Sequence, residues 1–293
     1  MPATNKIILG TVQFGLNYGI NNTKGKPNGE EIKKIFDLAY ENGINMLDTA
    51  EAYGDSQETI GEYHMQSKNR FEVITKYSSA RVDLPENIAN RVEHDLKLLN
   101  VSSLFAYMFH SFKDLTTHFE KFKHELLKLK LEGKIKKIGV SIYTNEEAEQ
   151  VLNYKEIDLV QLPFNLLDNN SQRELAIRKL KDRGIEIHTR SVFLQGLFFM
   201  NQESIPAKLL ALKPYLQKIK QNTLQYKCSL NDLALNYVLY QKQIDKVLIG
   251  VDTAEQLLTN IASSKKELNE SMNEIDSIQV KETELLNPAN WNA

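Results

Sequence analysis

Residues 104–109 read Leu104-Phe105-Ala106-Tyr107-Met108-Phe109, an apolar hexamer with no polar residue at alternate positions. A strand with one wet face alternates apolar and polar side chains. This one is therefore expected to be covered on both faces, as strands of parallel sheets are. Parallel neighbours need crossovers, and the flanking sequence supplies them. Short β-rich runs recur at 7–12, 45–49, 72–75, 137–141, 158–162, 186–189 and 246–249, with helical spacing in most of the intervals. Ile32, Ile35, Phe36 and Ala39 mark one apolar helix face, closed by Gly43. Ile88, Val92, Leu96 and Leu99 mark another, with Pro85 read as its first turn. Leu126 and Leu129 before Gly133, then Leu175 and Leu180 before Gly184, mark two more, and Ser229 or Asn231 is placed to cap a helix over 233–240.

Eight strand runs, most followed by a helix, predict an α/β fold: a parallel, eight-stranded (β/α)8 TIM barrel forming one domain over residues 1–293. The competing open doubly wound sheet uses a glycine-rich phosphate loop after its first strand, and Leu9-Gly10-Thr11-Val12-Gln13-Phe14-Gly15 is not one. The length of 293 residues suits a barrel, which commonly takes about 250. One long irregular connection, 192–208, stands out, and loops of that length are often functional. The tail 287–293 carries Trp291 and reads either as a substrate lid or as a docked end.

Composition narrows the class of function. Hydrophobic residues make up 42% and charged residues 25%, the mix of a soluble chain with ample core. The 36 Lys and Arg nearly balance 38 Asp and Glu, leaving a formal charge of −2 and no cationic field for nucleic acid or an anionic membrane. Cys228 is the single cysteine, so neither an internal disulfide nor a multi-cysteine zinc site is available. No apolar run reaches membrane-spanning length, and the polar residues 1–6 lack the apolar core of a signal peptide, so a cytoplasmic location is expected.

In a parallel barrel the active site lies at the C-terminal mouth of the strands, so the polar residues at strand ends matter most. Asp48 ends the second run, Tyr53 follows in Asp48-Thr49-Ala50-Glu51-Ala52-Tyr53-Gly54, Lys76 ends the third run and His110 the fourth. A carboxylate, a phenol, an amine and an imidazole thus come from three consecutive strands. An ammonium beside the phenol is expected to lower its pKa, with Asp48 anchoring Lys76 and His110 orienting a carbonyl. Tyr53 as a general acid is half of a carbonyl reduction; the hydride must come from a nicotinamide cofactor, because no side chain supplies one.

These residues resemble the aldo-keto reductase superfamily. The resemblance rests on Leu9-Gly10-Thr11, on Asp48-Thr49-Ala50 with Tyr53-Gly54, on Lys76, and on His110 before Ser111, with Gly139-Val140-Ser141 and Gln161 further along. It implies a (β/α)8 barrel, NADP(H) or NAD(H) as cofactor, and reversible reduction of a small-molecule carbonyl or sugar substrate, with Asp48, Tyr53, Lys76 and His110 at the catalytic positions. It implies that Gly10, Thr11, Asp48, Ser141, Gln161, Arg190, Ser191, Gly250, Asp252, Gln256 and Asn260 line the cofactor. Ser141 and Gln161 would hold the nicotinamide amide, with Ile142 where many relatives have Asn. Arg190 would stack on the ring where many relatives have an aromatic residue. The stretch 248–260 resembles the adenosine-phosphate loop, whose backbone N–H groups suit an anion. Gly250 and Gln256 are neutral where NADPH-preferring relatives commonly have Lys or Arg, and Asp252 opposes a 2′-phosphate, which leaves NAD(H) open.

Around this set Glu51 and Tyr18 are expected at the rim, and Arg190, Gln195 and Gln13 would make a polar, partly cationic mouth. Phe198, Phe199 and Met200 would line the pocket or pack beneath the long loop. The stretches 10–15 and 190–196 resemble relatives associated with sugars, so a polar aldose, a keto-sugar or its nucleotide-linked form is one substrate class and small aldehydes the other. Two rival functions share the fold. A metal-dependent hydrolase would use Asp48, His110 and His188 as ligands, although Thr11-Val12-Gln13 stands where such enzymes often place two histidines. A non-catalytic nucleotide-sensing regulatory subunit would keep the fold and lose the chemistry.

Overall fold

The computed structural model describes residues 3–266, 268 and 272–292. Strands β1 (Ile7–Gly10), β2 (Met46–Asp48), β3 (Glu72–Tyr77), β4 (Leu104–Phe109), β5 (Ile135–Ser141), β6 (Leu159–Pro163), β7 (Glu186–Arg190) and β8 (Lys246–Gly250) close into a barrel in sequence order, all pairs parallel. Helices α1 (Val12–Gly15), α2 (Gly29–Glu41), α3 (Ser56–Gln66), α4 (Ile88–Leu98), α5 (Phe112–Leu131), α6 (Asn145–Val151) and α7 (Asn170–Asp182) lie in the connections between β1 and β7. After β7 come α8 (Lys213–Gln225) and α9 (Leu230–Leu239), and after β8 come α10 (Ala254–Ser264) and α11 (Asn273–Asp276). The expected (β/α)8 barrel is the observed architecture. Among the described residues no helix is long and apolar enough to cross a membrane.

The two-residue repeat of a strand decides what reaches the mouth. Ile8, Met46, Ile74, Ala106, Met108 and Leu159 form a buried layer, with Leu248 and Phe105 packed on it. Two residues along the same strands stand Gly10, Asp48, Lys76, His110, Gln161 and Gly250. Each polar residue therefore sits one pleat above an apolar residue that plugs the barrel. The outward set, including Leu9, Leu47, Val73, Tyr107, Phe109, Val140, Val160 and Ile249, joins the helix faces in the main core.

Local chemistry sets the helix ends. Asn28 caps α2 by accepting from Glu31 N, and Ser229 with Asp232 makes a full capping box on α9. Several boundaries differ from those read in the sequence. β1 stops at Gly10: Thr11 N–H makes the last ladder bond, to Asp48 O at 3.0 Å, and Val12–Gly15 then coils into α1. Helix α4 starts at Ile88, where Asn87 accepts from Ala89 N and Asn90 N, so Pro85 lies before the helix. On α7 the buried face is Arg173, Ala176, Ile177 and Leu180, and Leu175 is exposed. In the tail Trp291 is buried in the core with its indole N–H donating to Leu285 O at 2.9 Å, so the described part is a docked end. Residue 293 lies outside the described residues.

The connection 192–208 is a run of 3-10 turns, Leu194–Phe199, Gln202–Ser204 and the start of Ala207–Leu212. Ser191, Leu194 and Gln195 hold left-handed backbone conformations with φ of 62°, 46° and 53°. Such conformations carry strain of order 1–3 kcal/mol each outside glycine and cluster at functional sites. The loop carrying Tyr53 is clamped to the β1 connection by two glycines. A Cβ on Gly15 would lie 1.7 Å from Tyr53 O, and one on Gly54, at φ +57°, would lie 2.3 Å from Gly15 O. Gly15→Ala is therefore expected to cost about 3 kcal/mol or more, lowering the melting temperature by about 6–12 °C. The control Gly29→Ala, which meets nothing within 4 Å, is expected to leave it nearly unchanged. Thermal unfolding followed by circular dichroism checks both, and equal melting temperatures would remove the clamp.

Candidate active site

At the C-terminal ends of β2 and β3 the carboxylate of Asp48 and the amine of Lys76 form a buried ion pair with very short contact. Lys76 Nζ also donates to Thr49 O at 2.9 Å, and Gln161 Nε2 donates to the other Asp48 oxygen at 2.8 Å. Both oxygens of the carboxylate are thus occupied. Thr11 Oγ1 donates to Asp48 O at 2.9 Å, and Ser56 Oγ, at the start of α3, donates to Thr11 O at 2.9 Å, tying β1, β2 and α3 together beneath the loop. Lys76 Nζ lies 5.2 Å from the centre of the Tyr53 ring. The His110 ring meets Tyr53 edge to face, with centroids 5.4 Å apart. The acid, phenol, amine and imidazole expected at one rim do come together there.

The electrostatics differ from the sequence reading in one respect. The Tyr53 phenol is pushed above its ordinary pKa, not below it: burial does most of this, Asp48 adds to it, and Arg190 opposes it. Asp48 cancels the ammonium that was expected to stabilise phenolate, and little solvation is left to replace it. Burial also pulls the Lys76 amine below its ordinary value, against the opposing pull of Asp48. His110 falls to about 3, through burial first and then the cation at Lys76, with Asp114 opposing, so its imidazole is neutral at neutral pH. Tyr53 is consequently a proton donor held in reserve, beside a neutral hydrogen-bonding ring.

These groups line one end of a cavity of about 600 Å³, within the usual size of small-molecule and cofactor sites. Gly10, Thr11, Ser141, Gln161, Arg190, Ser191, Gly250, Asp252, Gln256 and Asn260 all line it, as do Tyr18, Gln13 and Gln195, while Lys76 lies just beneath. Phe199 reaches the cavity, whereas Phe198 is buried in the core and Met200 packs on that core. Tyr18 Oη accepts from Gln195 Nε2 at 3.0 Å across the mouth. Glu51 is not a rim residue. It is fully buried, gripped by Arg91 Nε at 2.9 Å and Nη2 at 2.7 Å, and accepts from Tyr107 Oη and Ser78 N. Its partner comes from α4, a pairing that no local spacing announces.

The lining fits a dinucleotide by its space and by the free Ser141 Oγ and Gln161 Oε1, and not by free donors at α10. Gly250 leaves room that a Cβ would fill, since it would stand 2.4 Å from Gln13 Nε2, and Gln13 Oε1 is buried with no hydrogen-bond partner. Around the start of α10 the groups are largely satisfied by the protein. Ala254 N–H donates to Glu31 Oε1 at 2.7 Å, Gln256 N to Thr253 Oγ1 at 3.2 Å, and Asp252 N to Gln256 Oε1 at 2.7 Å. Asp252 Oδ1 accepts from Asn22 Nδ2 at 3.1 Å. The helix start expected to welcome an anion already holds the Glu31 carboxylate. Lys24 and Glu255 line this end too, and neither they nor Glu31 stood out in the sequence.

The metal reading does not match the geometry. His188 points into the lower barrel, where its Nε2 pairs with Glu186 Oε1 at 2.7 Å and its ring stacks on Phe105. Asp48 is committed to Lys76 and Gln161, and among the described residues no group of three His, Cys, Asp or Glu side chains could hold a metal ion. Cys228 is an ordinary free thiol before α9, pushed up by burial.

The NADH-specific methylglyoxal reductase of Escherichia coli is 26% identical over 283 residues, covering 83% of this chain and 84% of that protein. The glycerol dehydrogenase AKR11B4 of Gluconobacter oxydans superposes with a TM-score of 0.73 at 20% identity, covering 93% of this chain and 90% of that one. The holo form of aldo-keto reductase AKR11C1 from Bacillus halodurans superposes with a TM-score of 0.71 at 18% identity, covering 96% and 91%. A family model described as the aldo/keto reductase family matches residues 6–280, and the chain belongs to that family of oxidoreductases.

Proposed function

We propose that the protein catalyses reversible, nicotinamide-dependent reduction of a polar aldehyde or ketone, with Tyr53 as the proton donor. The observation that carries this reading is the convergence of Tyr53, His110 and the buried Asp48–Lys76 pair at one end of a single cavity. A bound nicotinamide would supply the hydride. Ser141 and Gln161, whose Oγ and Oε1 make no hydrogen bond to any described residue, would hold its amide, with the Arg190 guanidinium alongside. His110 would place the substrate carbonyl by a neutral hydrogen bond, and Tyr53 would pass its proton to the carbonyl oxygen. In the reverse direction Tyr53 would receive that proton from an alcohol or a sugar hydroxyl. Gln13, Asn21 and Gln195 on the cavity wall favour a hydroxylated substrate of the aldose or keto-sugar kind, and a small aldehyde fits the same wall.

The adenosine end favours NADH over NADPH. Three carboxylates, Glu31, Asp252 and Glu255, surround the start of α10, against Lys24. Burial raises the Asp252 carboxyl while Gln256 and Lys24 hold it down. A 2′-phosphate would meet net negative charge, whereas a free 2′-hydroxyl finds an acceptor. The NADH specificity in the name of the Escherichia coli relative agrees with this.

Three outcomes test the reading. Tyr53→Phe should lower kcat by about 10²–10⁴-fold with NADH binding retained, as read by aldehyde-dependent NADH oxidation and by fluorescence titration; unchanged turnover contradicts the assignment. The reduction kcat/KM should stay level between about pH 5 and 9, because Tyr53 keeps its proton and His110 stays neutral throughout; a bell centred near neutrality contradicts it. NADH should bind about tenfold or more tightly than NADPH, and Asp252→Asn should narrow that gap; tighter NADPH binding by the wild type overturns the preference.

A further inference from the structure

Arg190 ends β7 with its guanidinium at the reacting end of the cavity and no acid to neutralise it. Its Cζ lies 4.0 Å from the centre of the Tyr143 ring, a flat support for the cation, and Nη2 donates to Ile142 O at 3.0 Å. No carboxylate of the described residues lies within ion-pair distance of it. Asp168, which feels its charge, is already held by Arg173 Nε at 2.6 Å and Nη2 at 2.7 Å. Asp48, the one acid near the phenol, is consumed by Lys76 and Gln161. The charge of Arg190 reaches Tyr53, Lys76 and His110 alike. A rigid cation is thus braced on one face and tied at one donor, while its remaining N–H groups have no partner among the described residues. Its planar fork matches an oxyanion in a two-point contact.

We propose that Arg190, braced by Tyr143, is a specificity-determining residue that seats an oxyanion, a carboxylate or a phosphate, borne by the carbonyl substrate, so that the preferred substrates are anionic carbonyl compounds. This rests on the reductase reading and narrows it. The anion neutralises the guanidinium, and the tether holds the carbonyl between Tyr53 and His110. A bound nicotinamide would supply the hydride and Tyr53 the proton, as before, and the anionic group is unchanged by the reaction.

The test compares glycolaldehyde with glycolaldehyde phosphate and with glyoxylate, at saturating NADH, in the wild type and in Arg190→Gln. Glutamine keeps a donor for Ile142 O and removes the charge. In the wild type at least one anionic compound should have a KM about tenfold or more below that of glycolaldehyde. In Arg190→Gln, with NADH held saturating for each protein, kcat/KM for that compound should fall about tenfold more than for glycolaldehyde. A loss confined to glycolaldehyde phosphate identifies a phosphate seat, and one confined to glyoxylate a carboxylate seat. Equal kcat/KM changes for all three compounds, measured with NADH saturating, overturn the anion seat and leave the reductase standing. No NADH oxidation with any of the three, in either protein, overturns both.

Discussion

The ion pair between Asp48 and Lys76 is the constraint around which the site is arranged. Both side chains are almost wholly removed from solvent, and two opposite charges in such a place persist only when each is satisfied. Removing one partner of a buried pair typically costs about 3–5 kcal/mol, because the other charge is left alone. Here two of the three amine N–H groups are met, by Asp48 and by Thr49 O, and each carboxylate oxygen has a partner, in Lys76 and Gln161. The pair thereby joins β2, β3 and β6 at the mouth and fixes the floor on which Tyr53 rests.

That neutrality has a chemical consequence. An isolated ammonium would draw the phenol toward phenolate, but a paired one leaves burial in charge, and burial favours the protonated form. Burial likewise keeps His110 neutral, with a smaller contribution from the Lys76 charge. The reacting end thus holds a proton donor and a neutral orienting ring, with Arg190 as the remaining uncompensated charge. Around it the protein is held by backbone contact, through Gly15 against the Tyr53 loop, and by the buried Glu51–Arg91 pair below that loop. Position is imposed from beneath and charge from the side.

The parts that were legible in the sequence are those with a local signature. The apolar hexamer 104–109 announced a doubly covered strand, and the spacing of the runs announced the closed barrel. Asp48, Lys76 and His110 were legible because a two-residue repeat puts each one pleat above an apolar plug. What escaped depends on partners distant in the chain. Glu51 looked like a rim residue because its mate, Arg91, lies 40 positions on. The sign of the Tyr53 shift was misjudged because spacing shows which groups are near, not how far each cancels another. Glu31 at the start of α10 and Tyr143 beneath Arg190 belong to the same class, contacts made by closing the barrel.

The central claim, that the neutralised pair leaves Tyr53 protonated, is tested most directly by ultraviolet difference titration of the phenols. The tyrosinate signal of Tyr53→Phe is subtracted from that of the wild type across the pH range in which the fold survives. The account predicts that the difference stays near zero below about pH 10, the ordinary phenol value. A phenolate assigned to Tyr53 with a midpoint near neutrality would contradict it.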